Sequence, residues 1–235
     1  MKVIKPIINK PTETHYLLIV DSSTSMGGLT KTTISGINEQ IDMIKDLEKE
    51  FPDQKYFMSF IHFNSKVVTE YSSKKPNELN HINESNYKCS GMTALMDAIG
   101  EGVTNLSDQI SNKIETGEAT AVVVIITDGE ENSSRTFDLT KIKSLIEELQ
   151  LTNKWTFTFI GANIDSMSTA RSYGIATNNV MQFSGDVNSN SKVYASVTKS
   201  FKSRASKLSS MNFSTDSFSE LNDFVDKSDN DLTSK

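Results

Sequence analysis

Apolar residues follow two alternating patterns along this chain: short uninterrupted runs, and stripes that repeat every three or four positions. Short runs rich in β-branched and aromatic residues occur at 15–21, 56–63, 66–71, 121–127, 155–160 and 180–183. Stripes with helical spacing occur at 33–50, 93–110, 139–151, 166–173 and 187–211. Strands that alternate with helices are typical of βαβ units, so the pattern predicts an α/β fold around a mostly parallel sheet.

Two of the runs say more about the sheet. The run at 66–71 follows the run at 56–63 after only two residues, which predicts a hairpin and therefore one antiparallel strand. The run at 121–127 is the most apolar in the chain and is expected at the centre of the sheet. The stretch 74–90 is polar and irregular, so we expect it on the surface.

The chain divides into three parts. Its 235 residues suit one large α/β domain, which the pattern assigns to residues 15–211, after an N-terminal arm at 1–14. Residues 212–235 are rich in Ser, Asp and Asn, a composition that predicts a flexible acidic tail. A short docking helix is the alternative, because three apolar residues of the tail keep helical spacing. These residues are Phe218, Leu221 and Val225.

Composition narrows the classes of function. Hydrophobic residues make up 36% and charged residues 23% of the chain, and the net charge of −6 gives no general attraction to nucleic acid or an anionic membrane. The single cysteine, Cys89, excludes an intrachain disulfide framework and a cysteine-based zinc cluster. No apolar run approaches membrane-spanning length, and no signal-like apolar core precedes the first strand. We therefore expect a cytoplasmic protein, and export without a cleaved signal stays open.

The most informative polar stretch, residues 21–25, directly follows the apolar run at 16–20. Alternate side chains of an extended segment point the same way, so Asp21, Ser23 and Ser25 are able to converge on one point. One carboxylate and two hydroxyls form a ligand set for a small hard cation that keeps part of its water, which Mg²⁺ does more readily than Ca²⁺. A serine-rich turn that caps the next helix is the alternative interpretation.

Two further loops lie where predicted strands and helices meet. Thr93 presents a hydroxyl at the start of a predicted helix, and Asp128 presents a carboxylate where the most apolar strand ends. In an open α/β sheet such loops gather at the carboxyl ends of the strands, where ligands bind. Asp21, Ser23 and Ser25 are therefore expected to meet Thr93 and Asp128 in space.

Taken together, these motifs resemble the von Willebrand factor A domain and its metal-ion-dependent adhesion site. The resemblance covers residues 15–211, and its motifs are Asp21-x-Ser23-x-Ser25, Thr93 within Gly-Met-Thr-Ala-Leu, and Asp128 within Thr-Asp-Gly.

Local details look like the intracellular bacterial and phage members of this family. Met26 after the second serine and the runs at 93–99 and 160–165 carry that similarity. Met92 is a departure, because these relatives often have a second glycine before the threonine.

The resemblance implies a doubly wound, Rossmann-like, mostly parallel six-stranded sheet with one antiparallel edge strand and helices on both faces. It also implies Mg²⁺ or Mn²⁺ bound by Ser23, Ser25 and Thr93, with Asp21 and Asp128 acting mostly through water. Neutral hydroxyls leave the charge of such an ion poorly compensated, so the ion attracts a carboxylate from a partner. We therefore predict a non-enzymatic module that binds an Asp or Glu of a partner protein, with neither a membrane nor nucleic acid as its target.

Two other classes of function are alternatives. A Mg²⁺-dependent phosphohydrolase would use Asp21 as its nucleophile, but phosphatases of the haloacid-dehalogenase type need a second acid where this chain has Ser23. Nucleic-acid binding is suggested by five basic residues on the last predicted helix, for which a solvated helix face is the favoured interpretation. These residues are Lys192, Lys199, Lys202, Arg204 and Lys207.

Other ionisable residues near these motifs have structural explanations. We expect Glu130 and Glu131 in a solvated loop or at a helix start, the alternative being that they tune the rim of the site or repel acidic partners. We expect Asp97 and Glu101 on an exposed helix face, the alternative being that they orient the residues of the site. Asp165 is equally well explained as the cap of the next helix and as a residue that borders the site. The histidines are expected to be packed or edge residues, and they are His15, His62 and His81.

Overall fold

The computed structural model describes residues 10–162, 165–211, 217–226 and 231–232. In these ranges one sheet contains β1 (Glu13–Asp21), β2 (Lys55–Phe63), β3 (Val67–Lys74), β4 (Ala119–Thr127), β5 (Trp155–Ala162), β6 (Val180–Phe183) and β7 (Asp231–Leu232). The helices are α1 (Thr30–Glu50), α2 (Leu95–Thr116), α3 (Leu139–Leu151), α4 (Ser166–Ser172), α5 (Val187–Ser210) and α6 (Ser217–Leu221). None of the helices in the described ranges is long and apolar enough to cross a membrane.

The strands are ordered β3-β2-β1-β4-β5-β6-β7 across the sheet. Neighbouring strands pair in parallel, except that β2 and β3 form the predicted antiparallel edge. The predicted doubly wound sheet of six strands is confirmed, and β7 adds two residues at the opposite edge. The chain winds outward in both directions from β1 and β4, and ligands bind at such a switch point in open α/β sheets.

Helices cover both faces of the sheet, with α1 and α5 packed together on one face and α2 and α3 on the other. The central strands β1 and β4 are buried along their whole length, which explains the continuous apolar runs at 16–20 and 121–126 within them. Successive side chains alternate between the two cores. Leu18 and Val124 belong to the core under α1 and α5, whereas Leu17 and Val123 belong to the core under α2.

The boundaries of the domain differ from the predicted ones at its start. β1 begins at Glu13, inside the predicted arm at 1–14, and residues 1–9 of that arm lie outside the described part of the chain. Glu13 already pairs with β2 and β4, so the sheet extends two residues further than the apolar run that predicted it.

The stretch 74–90 lies mostly at the surface, as its polar sequence predicted, but it is anchored to the core. Its few apolar side chains are buried in the core beside α1, and they are Leu79, Ile82 and Tyr87. Asn38 of α1 holds the backbone of Ile82 from both sides, since it donates to the carbonyl at 2.9 Å and accepts from the N–H at 2.7 Å. These contacts anchor a segment whose other side chains are mostly exposed.

Residues 217–226 pack against the domain, whereas a flexible acidic tail was predicted for 212–235. Asn179 fixes the backbone there, because its side chain donates to the carbonyl of Asn222 at 2.7 Å and accepts from the N–H of Phe224 at 3.0 Å. The buried apolar side chains are Phe218, Leu221, Phe224 and Val225. The alternative of a docking helix therefore holds here as α6.

The rest of the predicted tail contributes only β7 to the described structure. Residues 212–216, 227–230 and 233–235 lie outside the described residues, and the predicted flexibility of those stretches stays a prediction.

A buried polar cluster lies at the amino end of β1. The Glu13 carboxylate accepts from the Lys113 ammonium at 2.7 Å and lies 3.5 Å from Nε2 of His15. The imidazole stacks on the Phe57 ring with 4.6 Å between the ring centroids. Burial lowers the pKa of His15 from 6.5 to about 4. The folded protein therefore holds a neutral histidine at neutral pH.

His15 is expected to make the free energy of unfolding depend on pH. The unfolded chain takes up this proton near pH 6.5 and the folded chain only near pH 4, so stability falls as the pH drops between these values. The loss from this group is roughly 3 kcal/mol. His15→Phe retains an aromatic contact with Phe57 and lacks the titration. Urea unfolding at several pH values checks this, and an unchanged pH dependence in the variant would contradict it.

Candidate metal centre

Asp21 ends β1 with its side chain fully buried. Oδ1 accepts from the backbone N–H of Ser23 at 2.7 Å, and Oδ2 accepts from the hydroxyl of Thr127, the last residue of β4, at 2.6 Å. The Tyr87 hydroxyl donates to the Asp21 carbonyl. This one carboxylate therefore connects the carboxyl ends of the two central strands and shapes the loop after β1.

The hydroxyls of Ser23 and Ser25 lie side by side, 3.0 Å apart. Ser25 also donates to Oδ1 of Asp128 at 2.7 Å, which connects the loop after β1 to the loop after β4. The intervening side chains point elsewhere: Ser22 donates to the carbonyl of Phe63 and Thr24 to the carbonyl of Gly91. The predicted division of these side chains is therefore observed, although the chain is extended only as far as Ser23 and turns into a 3-10 helix at Thr24–Leu29.

Thr93 joins this group through the space next to Gly129. A Cβ placed on Gly129 would lie 3.5 Å from Oγ1 of Thr93 and 3.8 Å from Oγ of Ser25. Thr93 itself is buried, and Asn132 holds its backbone with two hydrogen bonds. The Thr93 N–H donates to Asn132 Oδ1 at 2.8 Å, and the Thr93 carbonyl accepts from the Asn132 N–H at 3.0 Å. The structure thus brings all the predicted site residues to the switch point between β1 and β4.

The turn before Thr93 is held by backbone contacts to the first loop. Gly91 has φ of +72°, a conformation that favours glycine, and its carbonyl accepts from the N–H of Thr24 at 3.2 Å. Met92 donates its N–H to the Ser65 hydroxyl at 2.9 Å and leaves 52% of its side chain exposed. The Met92 side chain is therefore largely exposed to solvent.

The two site carboxylates lie in an environment that disfavours their charge. Burial raises the pKa of Asp21 and of Asp128 above the usual aspartate value, and hydrogen bonds from Thr127 and Ser25 respectively oppose the rise. Among the residues that the structure describes, neither carboxylate has a basic ion-pair partner. Two buried acids without a cation are a setting that a bound cation would stabilise.

The chemistry of the donors fits a hard cation. Three hydroxyls and two carboxylates supply only oxygen atoms, the ligand type that Mg²⁺ and Mn²⁺ prefer. The described ranges contain no group of three or more His, Cys, Asp or Glu side chains able to hold a metal ion, so an ion here depends on the hydroxyls. Ser25 is exposed whereas Ser23 and Thr93 are buried, so solvent reaches the group from the side of Ser25.

Two residues that shape the site were not singled out from the sequence. The Thr127 hydroxyl donates to Asp21 and accepts from the N–H of Gly129 at 3.2 Å. These two bonds fix the turn that contains Asp128, whose carboxylate contacts Ser25. Asn132 holds Thr93, as described above. The Thr-Asp-Gly motif contained a signal for Thr127, but no local pattern marks Asn132, because its partner lies 39 residues away.

Asp97 corrects one sequence expectation. It was expected on an exposed helix face, yet it is buried and accepts from three consecutive backbone N–H groups at 2.8 to 2.9 Å. The donors are Arg135, Thr136 and Phe137. The loop after β4 folds back over the first turn of α2, and this return buries Asp97. Glu101, one turn further along α2, is exposed as expected.

Glu131 caps the same helix. Glu131 lies in the loop after β4, not at the start of the helix that follows it, and its Oε2 accepts from the N–H of Met96 at 2.8 Å in the first turn of α2. Its Oε1 accepts from the N–H groups of Ser133 and Ser134 at 2.8 and 2.7 Å. Glu130 is exposed. The loop that carries Asp128 is therefore anchored by Asp97 and Glu131 at the start of α2.

The remaining ionisable residues have the structural roles that were expected. Asp165 caps α4, since Oδ1 accepts from the N–H of Ser168 at 3.0 Å, and residues 163–164 before it lie outside the described part. His62 is buried with Nδ1 3.2 Å from the Ser22 hydroxyl. His81 lies at the surface, 2.9 Å from Asp42.

Comparison with protein families gives a match over most of the chain. The family model described as the von Willebrand factor type A domain matches residues 17–227, which include all the site residues. None of the curated proteins matches the chain.

Several solved structures share the fold. A von Willebrand factor type A protein from Catenulispora acidiphila is 14% identical with a TM-score of 0.52, over 80% of this chain and 42% of that chain. Proximal thread matrix protein 1 from the mussel byssus, described as having a zinc-occupied MIDAS motif, is 17% identical with a TM-score of 0.53, over 82% and 46%. The ArnB paralog VWA2 from Sulfolobus acidocaldarius is 15% identical with a TM-score of 0.50, over 79% and 44%.

The chain spans less than half the length of these solved structures. At identities of 14 to 17%, the similarity shows the fold alone.

Asp97→Ala is expected to destabilise the protein by about 2 to 4 kcal/mol, because three backbone N–H groups lose their acceptor. Glu101→Ala removes an exposed carboxylate from the same helix and is expected to change the free energy of unfolding by less than about 0.5 kcal/mol. Urea unfolding measures both. Equal effects of the two substitutions would show that Asp97 does not anchor the loop.

Proposed function

Because the chain belongs to the von Willebrand factor type A domain family, we propose that it is a divalent-cation-dependent module that binds an acidic side chain of a partner protein. One observation carries the proposal: two carboxylates and three hydroxyls from three loops meet at the switch point. Thr93 and Ser25 border the space next to Gly129, Ser25 contacts Ser23 and Asp128, and Asp21 accepts from the Ser23 N–H. In the described part of the chain, no basic side chain compensates these carboxylates. The arrangement therefore suits a cation.

In this proposal, Ser23, Ser25 and Thr93 hold Mg²⁺ or Mn²⁺ through their hydroxyls. Asp21 and Asp128 orient the hydroxyls and bind the ion mostly through water. The bound ion supplies a positive charge that neutral hydroxyls compensate poorly, and this charge attracts a carboxylate from outside. Zinc is the ion named for the mussel protein. An oxygen-only donor set without Cys or His favours Mg²⁺ or Mn²⁺ here.

The environment of Asp21 supports a binding function over phosphoryl transfer. An aspartate nucleophile needs an oxygen that is able to approach phosphorus. Both oxygens of Asp21 accept hydrogen bonds, from Ser23 and Thr127, and its side chain is fully buried. The acid that a phosphatase of this type requires two residues later is replaced by Ser23. We therefore propose a non-enzymatic role.

The cellular location of the protein is predicted from its sequence alone. A cytoplasmic location and a similarity to bacterial and phage members of the family remain predictions.

Ser25→Ala is expected to weaken Mg²⁺ and Mn²⁺ binding at least about tenfold, equivalent to about 1.4 kcal/mol. The substitution removes one proposed ligand and the hydrogen bond to Asp128, and Ser25 is exposed, so the fold should persist. Isothermal titration calorimetry measures the affinities, and circular dichroism checks the fold.

Thr24→Ala is the matched control for this titration. It removes the neighbouring hydroxyl, which donates to Gly91 outside the site, and is expected to bind metal like the wild type. Absence of binding in the wild type, or equal binding in all three proteins, would overturn the proposed site.

Partner binding is expected to require both the metal and the site. In an affinity pull-down from the native host, specific partners should be retained in Mg²⁺, lost in chelator, and lost with Ser25→Ala but not with Thr24→Ala. Replacement of the contacting Asp or Glu of a partner by its amide should abolish retention. Partners that persist in chelator would contradict this mechanism, and Mg²⁺-dependent turnover of an aryl phosphate that disappears in Asp21→Asn would favour the phosphohydrolase instead.

A further inference from the structure

Helix α5 differs in charge from the rest of the protein. It has basic residues but no acidic residue over its 24 positions, in a chain whose net charge is −6. Four of its basic side chains are exposed, and these are Lys192, Lys199, Lys202 and Lys207. The exposed positions between them carry only small side chains such as Ala195, Ser203 and Ser206.

The exposed lysines extend along the helix axis. Lys192 and Lys207 are separated by about 22 Å at the rise of an α-helix. This distance matches roughly six phosphates of one nucleic-acid strand. We call the exposed lysines, with the alanine and serines between them, the lysine stripe. Within the described residues, Lys192, Lys202 and Lys207 make no ion pair.

The segment 217–226 has the opposite charge and lies against this helix. Its apolar side chains are buried and its three acidic residues are exposed to solvent. The segment contains no basic residue. Asp226 forms an ion pair with Lys199 at 2.9 Å. Glu220 and Asp223 line a surface cavity of about 360 Å³ together with Lys207. The segment therefore places negative charge next to two of the four lysines of the stripe.

Arg204 shows that the segment also removes a cation from solvent. Its guanidinium donates to the carbonyl of Leu221, and the side chain is buried without a carboxylate partner in the described ranges. Burial lowers the pKa of Arg204 to about 10. A buried charge without an opposite charge opposes docking of the segment, so the segment is held mainly by its apolar contacts and by Asn179.

We propose that the lysine stripe of α5 binds the phosphate backbone of nucleic acid and that the acidic segment 217–226 masks it. Lysine and serine side chains are common phosphate contacts, and a phosphate contact carries no sequence preference. An anionic membrane fits less well, because the stripe has no large apolar side chain to insert between lipids. The sequence alone favoured a solvated helix face, and the docked acidic segment is the observation that changes this interpretation.

This interaction is independent of the candidate metal centre. The stripe runs along the side of α5, whereas the metal centre lies where β1 and β4 end. Loss of metal binding and loss of nucleic-acid binding are therefore separable by mutation.

The test neutralises the mask in the full-length chain. Glu220→Gln, Asp223→Asn and Asp226→Asn together keep the side-chain sizes and leave the buried apolar residues unchanged. Fluorescence anisotropy with labelled oligo(dT) and oligo(U) should show weak binding by the wild type and binding at least about tenfold tighter by the triple variant at low salt. The slope of log affinity against log salt should be about −2 to −3, which corresponds to three or four phosphate contacts.

Two further proteins keep the test specific. Asp108→Asn, Glu115→Gln and Glu118→Gln together change the net charge equally, on and after α2, and should alter the affinity less than about twofold. Addition of Lys192→Gln and Lys202→Gln to the unmasked variant should return its affinity to the wild-type level. Circular dichroism and urea unfolding verify that each protein is folded.

Three results would overturn the proposal. They are no gain in the unmasked variant, an equal gain in the charge-matched control, and binding of the unmasked variant to phosphatidylserine vesicles without binding to either oligonucleotide. The last result would assign the stripe to a membrane surface. A preference between oligo(dT) and oligo(U) would identify the kind of strand.

Discussion

The structure depends on one buried carboxylate, that of Asp21. Through Ser23 and Thr127 it joins the ends of the two central strands, and no basic residue in the described part of the chain compensates its charge. A carboxylate that is buried in this way is stabilised by hydrogen bonds but remains attractive to a cation. The same interaction therefore orders the loop after β1 and creates the electrostatic reason for a metal at the switch point of the sheet.

Acidic and hydroxyl side chains have different roles at the switch point: acids anchor the loop after β4, and hydroxyls are proposed to bind the ion. Asp97 and Glu131 accept backbone N–H groups and hold the long loop after β4 at the start of α2. The hydroxyls of Ser25 and Thr93 border the space next to Gly129, and the Ser23 hydroxyl lies 3.0 Å from that of Ser25. The Asp97 and Glu131 carboxylates already accept hydrogen bonds from backbone N–H groups. The hydroxyls of Ser23, Ser25 and Thr93 are therefore the groups available to bind an ion. A second charged surface, the lysine stripe, lies on α5 away from this site, so one small domain has room for two separate binding functions.

Most strands and helices, and the residues of the candidate metal centre, were predictable from local sequence. The strands and helices follow from hydrophobic periodicity, since the spacing of apolar residues directly reports which face of each element is buried. The strand 180–183 and the helix 139–151 were predicted with the bounds that the structure shows. Asp21, Ser23, Ser25, Thr93 and Asp128 were identified because they occupy loops at strand ends and because the family has a recognisable pattern there. Their role as metal ligands remains a proposal.

The sequence by itself determined the order of elements, the central position of β4 and the identity of the residues that meet at the switch point. Only the tertiary structure decided that Asp97 is buried, that 79–87 packs beside α1, and that 217–226 docks on α5. The reason is the range of the interactions: Asp97 accepts from N–H groups 38 to 40 residues away, and Tyr87 donates to Asp21 across 66 residues. Periodicity describes neighbours along a helix or strand, whereas these contacts exist only after the sheet has brought distant loops together.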